Sequence, residues 1–289
     1  KYNSVIDNVR LAKLWDKIKV IEADLRNADS LKQVADIQPE VVFHFAAYNH
    51  VGDSFLHVLE SMNSNAIGTV NLMEAYKGYK RFVYIATSEV YGYQTEVPFR
   101  EDMLPFPTSP YALGKYTGEL YARMQHHVYQ SPIVMLRPFN VFGPYQSPRA
   151  VIAELILKCL RGETIQTTKG EQTRDFNFVE NLVEGVMMAA THPDTIGKTI
   201  NIGSGREITI RDLVQKIHQA TNSSSKLEIG ALQYRPTEIW RMAADSTQAQ
   251  KLLDWKPRVS LEDGLTRTVE WYKNFVQVYS SPGSPLLEL

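Results

Sequence analysis

Short apolar runs alternate with amphipathic stretches along the first half of the chain. The apolar runs cover residues 19–23, 41–45, 81–86 and 133–136, and helical stretches begin near residue 29 and cover 54–78 and 111–130. Helices of this length between strands indicate right-handed crossovers, which place successive strands parallel in one sheet. Because the run at 41–45 is continuously apolar, we expect a strand that is buried on both faces. The alternation predicts an α/β fold with a parallel sheet.

The pattern changes after about residue 145, where helices alternate with shorter strands. We expect helices near 148–161, 180–191, 209–221, 245–253 and 260–277, and short strands near 164–167 and 173–179. The change divides the chain into two expected lobes, residues 1–145 and residues 146–289. Later segments of the second range are expected to return to the first lobe.

Composition excludes several classes of partner and site. The 31 Lys and Arg residues nearly balance the 32 Asp and Glu residues, which gives a formal net charge of −1. We therefore expect no strong electrostatic attraction to nucleic acid or to an anionic membrane. The single cysteine, Cys159, excludes an internal disulfide framework and a multi-cysteine zinc site. Since no apolar run could span a bilayer and no signal-peptide pattern is present, we expect a cytoplasmic protein without a metal site.

A tyrosine and a lysine stand one helical turn apart in Ser109-Pro110-Tyr111-Ala112-Leu113-Gly114-Lys115. Ser109 can cap a helix and Pro110 suits the first helical position, so Tyr111 and Lys115 share one helix face. An ammonium group close to a phenol favours the phenolate and lowers the pKa of the tyrosine, which makes it a usable proton acceptor. The alternative is a surface tyrosine beside a solvated lysine.

Polar residues follow the apolar run at 81–86, in the order Thr87-Ser88-Glu89. In an open parallel sheet, ligands bind at the carboxyl ends of the strands, where these side chains are expected to lie. The alternative is a turn in which the two hydroxyl groups satisfy backbone groups and Glu89 faces water.

Further motifs run from about Ala23 to about Trp271. They are Ala23-Asp24-Leu25, Phe43-His44-Phe45-Ala46-Ala47, Asn65–Thr69, Thr87–Gly92, Arg137–Pro144, Gln172–Phe176, Asn201–Gly205 and Leu252–Pro257. Together with the Tyr111/Lys115 pair, they resemble the extended short-chain dehydrogenase/reductase superfamily, and within it the nucleotide-sugar epimerases and dehydratases. The resemblance implies a Rossmann-like, doubly wound parallel sheet that binds NAD in the first lobe. It also implies a smaller α/β lobe that binds a nucleotide-diphosphate sugar.

The same resemblance implies which residues bind the cofactor and the substrate. Those assigned to NAD are Asp24, Leu25, Phe45, Ala46, Ala47, Asn65, Tyr111 and Lys115, of which the last two would also be catalytic. Thr87 would bind the sugar 4-hydroxyl, and the other substrate-binding residues would be Asn140, Arg149, Arg174 and Arg235. Arginine forks suit phosphate oxygens. The family also commonly forms a homodimer, which here would pair the helices near 54–78 and 111–130.

The residues after Thr87 favour one reaction of this family, a 4,6-dehydration. A 4-epimerase needs no carboxylate at this place, whereas elimination across C5–C6 needs a base for the C5 proton, which Glu89 would supply. Ser88 stands where dTDP-glucose dehydratases usually carry Asp, so Glu89 would act as both base and acid. The Thr-Ser-Glu order resembles dehydratases of the GDP-mannose type. The run Gln146–Ile152 resembles N-acetylglucosamine 4,6-dehydratase-like proteins and suggests an N-acetylhexosamine substrate.

Three alternatives stay open from the sequence. They are a nucleotide-sugar 4-epimerase, a UDP-glucuronate decarboxylase and a non-catalytic protein that binds sugar nucleotides. The decarboxylases usually have Cys-Tyr-Asp-Glu-Gly-Lys where this chain has Pro-Tyr-Ala-Leu-Gly-Lys.

One family element has no counterpart here. The glycine-rich dinucleotide loop should lie upstream of Asp24, and no such motif occurs there. We therefore expect that the sequence omits the first βαβ segment.

Overall fold

The computed structural model describes residues 14–235 and 238–279. The expectation of a missing amino-terminal segment lies outside these residues. In the described ranges the strands are β1 (Val41–His44), β2 (Arg81–Ile85), β3 (Ile133–Pro138), β4 (Asn140–Phe142), β5 (Ile165–Thr167), β6 (Thr173–Arg174), β7 (Phe176–Phe178), β8 (Thr199–Ile202), β9 (Ile208–Thr209) and β10 (Leu227–Ile229). The α-helices are α1 (Lys32–Ile37), α2 (Val51–Ser54), α3 (Val58–Met62), α4 (Gly68–Ala75), α5 (Pro110–Tyr129), α6 (Val151–Arg161), α7 (Val179–Thr191), α8 (Ile210–Thr221), α9 (Thr247–Leu253) and α10 (Leu261–Tyr279).

Four of the described strands form one parallel sheet, in the order β1-β2-β3-β8. Val41 pairs with Arg81, Phe82 pairs with Ile133, and β3 pairs with β8 in the same parallel sense. Helices α2 to α4 connect β1 to β2, and α5 connects β2 to β3. The predicted α/β fold with a parallel sheet is confirmed.

Helices cover both faces of the sheet because successive side chains of a strand point to opposite faces. Phe82 and Tyr84 of β2 pack in one apolar cluster with residues of α4 and α5. Val83 and Ile85, which alternate with them, pack in another cluster with residues of α7 and with Trp255. The continuous apolar run of β2 therefore reflects burial on both faces, and the sheet is doubly wound.

Two expectations about the start of the sheet are wrong. Residues 19–23, expected as a strand, have no regular secondary structure, and β1 is the edge strand among the described residues. Val41 and Phe43 of β1 are 40% and 38% exposed, so the strand is not buried on both faces. A strand is stable only when its backbone groups find partners, and no described strand lies beside β1 on its outer side.

Helices α6, α8 and α10 pack around a separate apolar core. Ile156, Leu213 and Leu265 are buried in that core, and Phe142 and Phe178 extend it toward the sheet. Short strand pairs border it, with β5 parallel to β10, β4 parallel to β7 and β6 antiparallel to β9. Strand β8 then adds to β3 in the main sheet.

The carboxylate of Asp175, between β6 and β7, joins three segments of the chain. It accepts hydrogen bonds from the amide and hydroxyl groups of Ser204, from the Gly205 amide and from the Ala244 amide, at 2.5–3.0 Å. A Cβ on the neighbouring Gly203 would lie 2.8 Å from this carboxylate, so glycine permits the close approach. The chain leaving β8 and the chain near Ala244 are thus held at one point.

Among residues 14–235 and 238–279, none of the helices combines the length and the apolar character that crossing a membrane would require.

Candidate active site

Helix α5 carries the Tyr111/Lys115 pair near its start. The Ser109 hydroxyl oxygen accepts a hydrogen bond from the Ala112 amide at 3.1 Å, and Pro110 takes the first helical position. The predicted helix cap is therefore confirmed. The side chain of Tyr111 is half-buried and that of Lys115 is buried one turn further along the helix.

The residues that follow β2 meet the first turn of α5. Thr87 begins the short 3₁₀ turn Ser88–Val90, and its hydroxyl oxygen accepts a hydrogen bond from the Glu89 amide at 3.2 Å. Thr87 and Glu89 both act on the phenol of Tyr111, Thr87 by lowering its pKa and Glu89 by raising it. The carboxyl end of the strand therefore brings Thr87, Glu89 and Tyr111 together, as an open parallel sheet should.

The pKa of Tyr111 shifts in the direction opposite to the expected one. Burial raises the pKa of Tyr111 to about 12, the hydrogen bond with Thr87 opposes this rise, and the Glu89 carboxylate adds to it. The expected lowering of this pKa by Lys115 is therefore wrong for this arrangement. Desolvation of the phenolate is the largest cause of the shift.

The amine of Lys115 lies over an aromatic ring. Its Nζ atom is 4.7 Å from the centroid of the Tyr84 ring, and it makes no hydrogen bond with residues 14–235 or 238–279. Burial lowers the pKa of Lys115 to about 7, although the Glu119 carboxylate one turn away raises it. A buried amine without an acceptor suits a ligand that presents hydroxyl oxygens to it.

Glu89 is a half-buried carboxylate in a group of four charged side chains. Burial raises its pKa; Arg174 lowers it, Glu238 raises it and Arg235 lowers it, in that order of size. A carboxyl group with a raised pKa can accept a proton and later donate it near neutral pH. Glu89 therefore lies close enough to both predicted substrate-binding arginines, Arg174 and Arg235, for their charges to lower its pKa.

Arg174 is already bound by protein groups. Its guanidinium group donates to the Glu238 carboxylate at 2.6 Å, to the Thr173 carbonyl at 2.8 Å and to the Ile239 carbonyl at 2.6 Å. Arg235 is exposed, and its guanidinium group lies about 4 Å from the place where a Cβ on Gly52 would stand. The structure therefore brings both arginines near Glu89 but neutralises one of them with Glu238.

Ser88 and Asn140 meet at one methionine. The Ser88 hydroxyl donates to the Met242 sulfur at 3.6 Å, and the Asn140 amide nitrogen lies 3.5 Å both from that sulfur and from the Asp175 carbonyl oxygen. Ser88 is buried. The Ser88 hydroxyl therefore donates its hydrogen bond to a weak acceptor, the Met242 sulfur. Glu89 is the one residue of the Thr87–Glu89 turn that carries a carboxyl group.

Asn65 holds the loop that follows β1. Its side-chain oxygen accepts from the Tyr48 amide at 2.8 Å, and its side-chain nitrogen donates to the Tyr48 carbonyl at 3.0 Å. Asn65 sits in the π-helical turn Asn63–Ile67 and is buried. Phe45 and Ala46 in that loop are exposed and Ala47 is half-buried, so these residues form an open surface whose shape Asn65 fixes.

Leu25 lies against α4, and Asp24 precedes it in the chain. The Asp24 carboxylate binds the Arg26 guanidinium group, with a shortest distance of 2.7 Å, and the hydrogen bonds from Arg26 lower the pKa of Asp24 to about 2. The Leu25 carbonyl accepts from the Asn71 amide of α4 at 2.9 Å. Asp24 is exposed and ionised at neutral pH, so its carboxylate can accept a hydrogen bond from a hydroxyl group.

Arg149 takes a partner outside the group around Glu89. It is 64% exposed and donates to the Asp53 carboxylate in α2 at 2.6 Å, which lowers the pKa of Asp53. The bond joins α2 to the loop before α6. The expectation that Arg149 binds substrate therefore stays a prediction.

Several residues at this site were missed by the sequence analysis. Glu238 stands in the same motif as Arg235, and an acidic residue beside a predicted phosphate-binding arginine was the available signal. Tyr84 and Met242 read as ordinary core residues, and no local pattern marks them. His44 of β1 is buried, with Nε2 2.9 Å from the Thr69 hydroxyl oxygen. Within the described part of the chain, no cluster of three or more His, Cys, Asp or Glu side chains could hold a metal ion.

Known proteins are similar to this chain in sequence and in fold. The family model for GDP-mannose 4,6 dehydratase matches residues 2–268. A UDP-glucose 4-epimerase of Mycolicibacterium smegmatis is 34% identical over 275 residues, which are 93% of this chain and 87% of that protein. A dTDP-D-glucose 4,6-dehydratase of Mus musculus is 32% identical over 291 residues, which are 95% of this chain and 79% of that protein.

A solved structure shows the same fold. It is the dTDP-glucose 4,6-dehydratase from Streptomyces venezuelae with NAD and TYD bound, which superposes with a TM-score of 0.86 at 27% sequence identity. The match covers 94% of this chain and 85% of that chain. Since the family model spans most of the sequence and the relatives exceed 30% identity, the chain belongs to the nucleotide-sugar dehydratase and epimerase family that the GDP-mannose 4,6 dehydratase model represents.

Proposed function

We propose that this protein is an NAD-dependent nucleotide-sugar 4,6-dehydratase. The observation that carries the proposal is the meeting of Thr87, Tyr111 and Glu89, in which Glu89 is a carboxyl group with a raised pKa beside the predicted catalytic tyrosine. Such a group can remove a proton and return one, as an elimination of water requires. The dehydratase relatives and the family model support this choice.

The residues present fit NAD on two observations. The buried Lys115 amine has no hydrogen-bond acceptor among the described residues and suits ribose hydroxyl groups. The exposed Asp24 carboxylate and the loop shaped by Asn65 offer contacts for the rest of the cofactor. Leu25, Phe45, Ala46 and Ala47 would complete its site. When bound, NAD⁺ supplies the acceptor for a hydride from C4 and a positive charge beside the site.

Each protein group then has a task at a stated atom. Thr87 binds the sugar 4-hydroxyl and Tyr111 takes its proton. Because burial raises the pKa of Tyr111, the Lys115 ammonium and the positive charge of bound NAD⁺ would have to favour this step. Glu89 removes the C5 proton, which is acidified by the ketone at C4. Glu89 then returns a proton to the C6 hydroxyl, which leaves as water. The hydride taken from C4 would then return to C6 and a proton from solvent would add to C5, which gives a 4-keto-6-deoxy sugar nucleotide. The reaction therefore removes one water with no net redox change.

The substrate is proposed to be a nucleotide-diphosphate sugar. Arg174 and Arg235 lie near Glu89 and would bind the diphosphate, with Asn140 beside them. Arg149 would contribute only after it leaves Asp53. The sequence run at 146–152 suggests an N-acetylhexosamine as the sugar.

A 4-epimerase is the second candidate. The buried Ser88 hydroxyl faces the Met242 sulfur, so the site has no separate second acid for a leaving hydroxyl group in the Thr87–Glu89 turn. An epimerase needs no such acid, and the relative from Mycolicibacterium smegmatis is an epimerase.

We also propose a homodimer. On α5, Leu113, Leu120, Met124 and Val128 are exposed and share one helix face, because their spacing is seven, four and four residues. Ile67 in the adjacent π-helical turn is exposed as well. An exposed apolar stripe of this length marks a protein interface.

The reaction can be tested in deuterated water. The protein with added NAD⁺ is incubated separately with UDP-N-acetylglucosamine, GDP-mannose and UDP-glucuronate, and the products are analysed by mass spectrometry and NMR. A 4-keto-6-deoxy product with deuterium at C5 supports dehydration, because the C5 proton exchanges with solvent. Inversion at C4 without loss of water identifies an epimerase. Release of CO₂ identifies a decarboxylase, and absence of turnover with tight sugar-nucleotide binding indicates a binding protein.

A further inference from the structure

Tyr84 contacts both the backbone and the charged end of Lys115. This tyrosine lies in β2 and is fully buried. Its hydroxyl group donates to the Lys115 carbonyl at 2.8 Å, and its ring centroid lies 4.7 Å from the Lys115 Nζ atom. One side chain of the sheet therefore fixes both ends of one residue of α5.

Helix α5 is shaped to admit the Tyr84 hydroxyl group. Gly118 stands in the middle of this helix, where glycine is unfavourable. A Cβ at this position would lie 2.5 Å from the Tyr84 oxygen and 3.1 Å from the Asn65 carbonyl oxygen. Any other residue would push the tyrosine away from the Lys115 carbonyl, so Gly118 provides the space for this contact.

We propose that Tyr84 is a positioning residue for Lys115, with its hydroxyl group setting the height of the helix over the sheet and its π face holding the protonated amine. The proposal rests on the proposed function, since Lys115 is there the residue that holds the cofactor ribose. A cation over an aromatic face is attracted by the ring quadrupole, and the attraction grows when water is excluded. Tyr84 would therefore stabilise a charge that burial disfavours.

The groups around Lys115 determine the direction in which its pKa changes when the Tyr84 ring is removed. Burial lowers its pKa to about 7, and Glu119 raises it. The Glu119 carboxylate is itself held by two hydrogen bonds from the buried Arg137, at 2.7 and 2.9 Å. Loss of the π face therefore removes a stabilising contact of the ammonium form, and the pKa must fall. The titratable or charged groups that face this lysine are Tyr111 and Glu119 of α5, Tyr84 of β2, His44 of β1 and, through Glu119, Arg137 of β3.

The first experiment measures the Lys115 titration by NMR without cofactor or substrate. The protein is labelled with ¹³Cε-lysine, the Lys115 signal is assigned with Lys115→Met, and its midpoint is followed with pH. We expect a midpoint near 7 in the parent protein. Tyr84→Phe, which keeps the ring, should stay within about 0.3 pH unit, and Tyr84→Leu should fall by about 0.5 pH unit or more.

A second variant guards against loss of folding in Tyr84→Leu. Pentafluorophenylalanine at position 84 keeps the ring shape and reverses its quadrupole, so the midpoint should fall at least as far as with leucine. A midpoint that stays or rises with both replacements would overturn the role of the π face. Because this titration needs neither NAD nor sugar nucleotide, it holds or fails independently of the proposed reaction.

The second experiment tests the hydroxyl group by kinetics. Tyr84→Phe is compared with Tyr272→Phe, which also removes a buried hydroxyl group that donates to a backbone carbonyl, at 2.5 Å from the Gln146 oxygen. We expect kcat to fall about tenfold in Tyr84→Phe with KM for the sugar nucleotide unchanged, because the lysine is displaced from its working position. Equal kcat values in the two variants would contradict the role of the hydroxyl group.

Discussion

The Arg174 guanidinium group donates to the Glu238 carboxylate at 2.6 Å, and the two side chains are only 15% and 13% exposed. A cation that is predicted to bind a diphosphate is thus neutralised by a protein anion. Both charges also act on Glu89, in opposite directions. Glu238 would therefore compete with a bound diphosphate for Arg174. It also helps to raise the pKa of Glu89.

Glu238→Gln should tighten the binding of a nucleoside diphosphate. The substitution keeps the hydrogen-bonding shape but removes a negative charge, which is worth about 1 kcal/mol at 4 Å even in bulk water, so Kd should fall by about fivefold or more. Isothermal titration calorimetry with UDP and GDP measures the change. Glu207→Gln is the matched control, because Glu207 pairs with Arg241 and is absent from the groups that act on Glu89. Weaker or unchanged binding in Glu238→Gln would contradict the competition.

Glu89→Gln should abolish elimination while hydride removal from C4 continues. The amide cannot take the C5 proton, and loss of a general base costs about 10²–10⁴-fold in rate. Absorbance at 340 nm follows reduction of added NAD⁺, and NMR follows the 4-keto-6-deoxy product. A variant that forms this product at the parental rate would show that another group is the base.

The pH dependence of turnover should reflect Glu89. Burial raises its pKa above the usual value, so the carboxylate form required of a base is lost at a higher pH than for an exposed glutamate. Since Glu238 contributes to this rise, Glu238→Gln should move the acidic limb of the kcat profile to lower pH. Measured kcat between pH 4 and about 8 tests this. A limb that moves upward in Glu238→Gln would reverse the assignment.

His44 should make the fold sensitive to acid. Burial lowers its pKa from 6.5 to about 3, so below pH 6.5 the unfolded chain binds a proton that the folded chain excludes. Stability is then lost as the pH falls from 6.5 toward 3, by about 1.4 kcal/mol per pH unit. Urea unfolding at pH 7, 6 and 5 measures this slope. His44→Phe removes the titrating group and should have a shallower slope, and equal slopes would show that other groups carry the acid sensitivity.

Leu120→Glu should convert a dimer to a monomer. The side chain lies in the exposed apolar stripe of α5, and a buried charge there would lack a partner. Light scattering after size-exclusion chromatography gives the mass of the parent and the variant. Leu232→Glu, at another exposed leucine, is the control and should keep the parental mass. A parent protein of monomer mass would refute the proposed dimer.

The sequence alone predicted most elements because their causes are local. The cap at Ser109, the proline at 110 and the alternating residues Phe82 to Ile85 each determine structure within a few positions. The strand expected at 19–23 and the burial of β1 depend instead on a neighbouring strand, which no local pattern reports. Exposure of Phe43 therefore could not be predicted.

The candidate site was predictable only in part for a similar reason. Motif resemblance named Tyr111, Glu89 and Arg174, but not the groups that tune them. Arg174 meets Glu238 across 64 residues of sequence, and Ser88 meets Met242 across 154. Such contacts arise from tertiary packing between distant parts of the chain, and the sign of the pKa shift at Tyr111 follows from burial rather than from spacing.

The bonds of Asp175 have a consequence for how the protein can vary. Because its carboxylate holds Gly205 and Ala244 together, residues 206–243 form an excursion whose two ends are pinned at one point. Within this stretch α8 is fixed by core residues such as Leu213, whereas the largely exposed residues 231–235 can change while the sheet and the Tyr111 helix stay in place. Arg235 belongs to this exposed run, so substrate preference can change here without a change of the core.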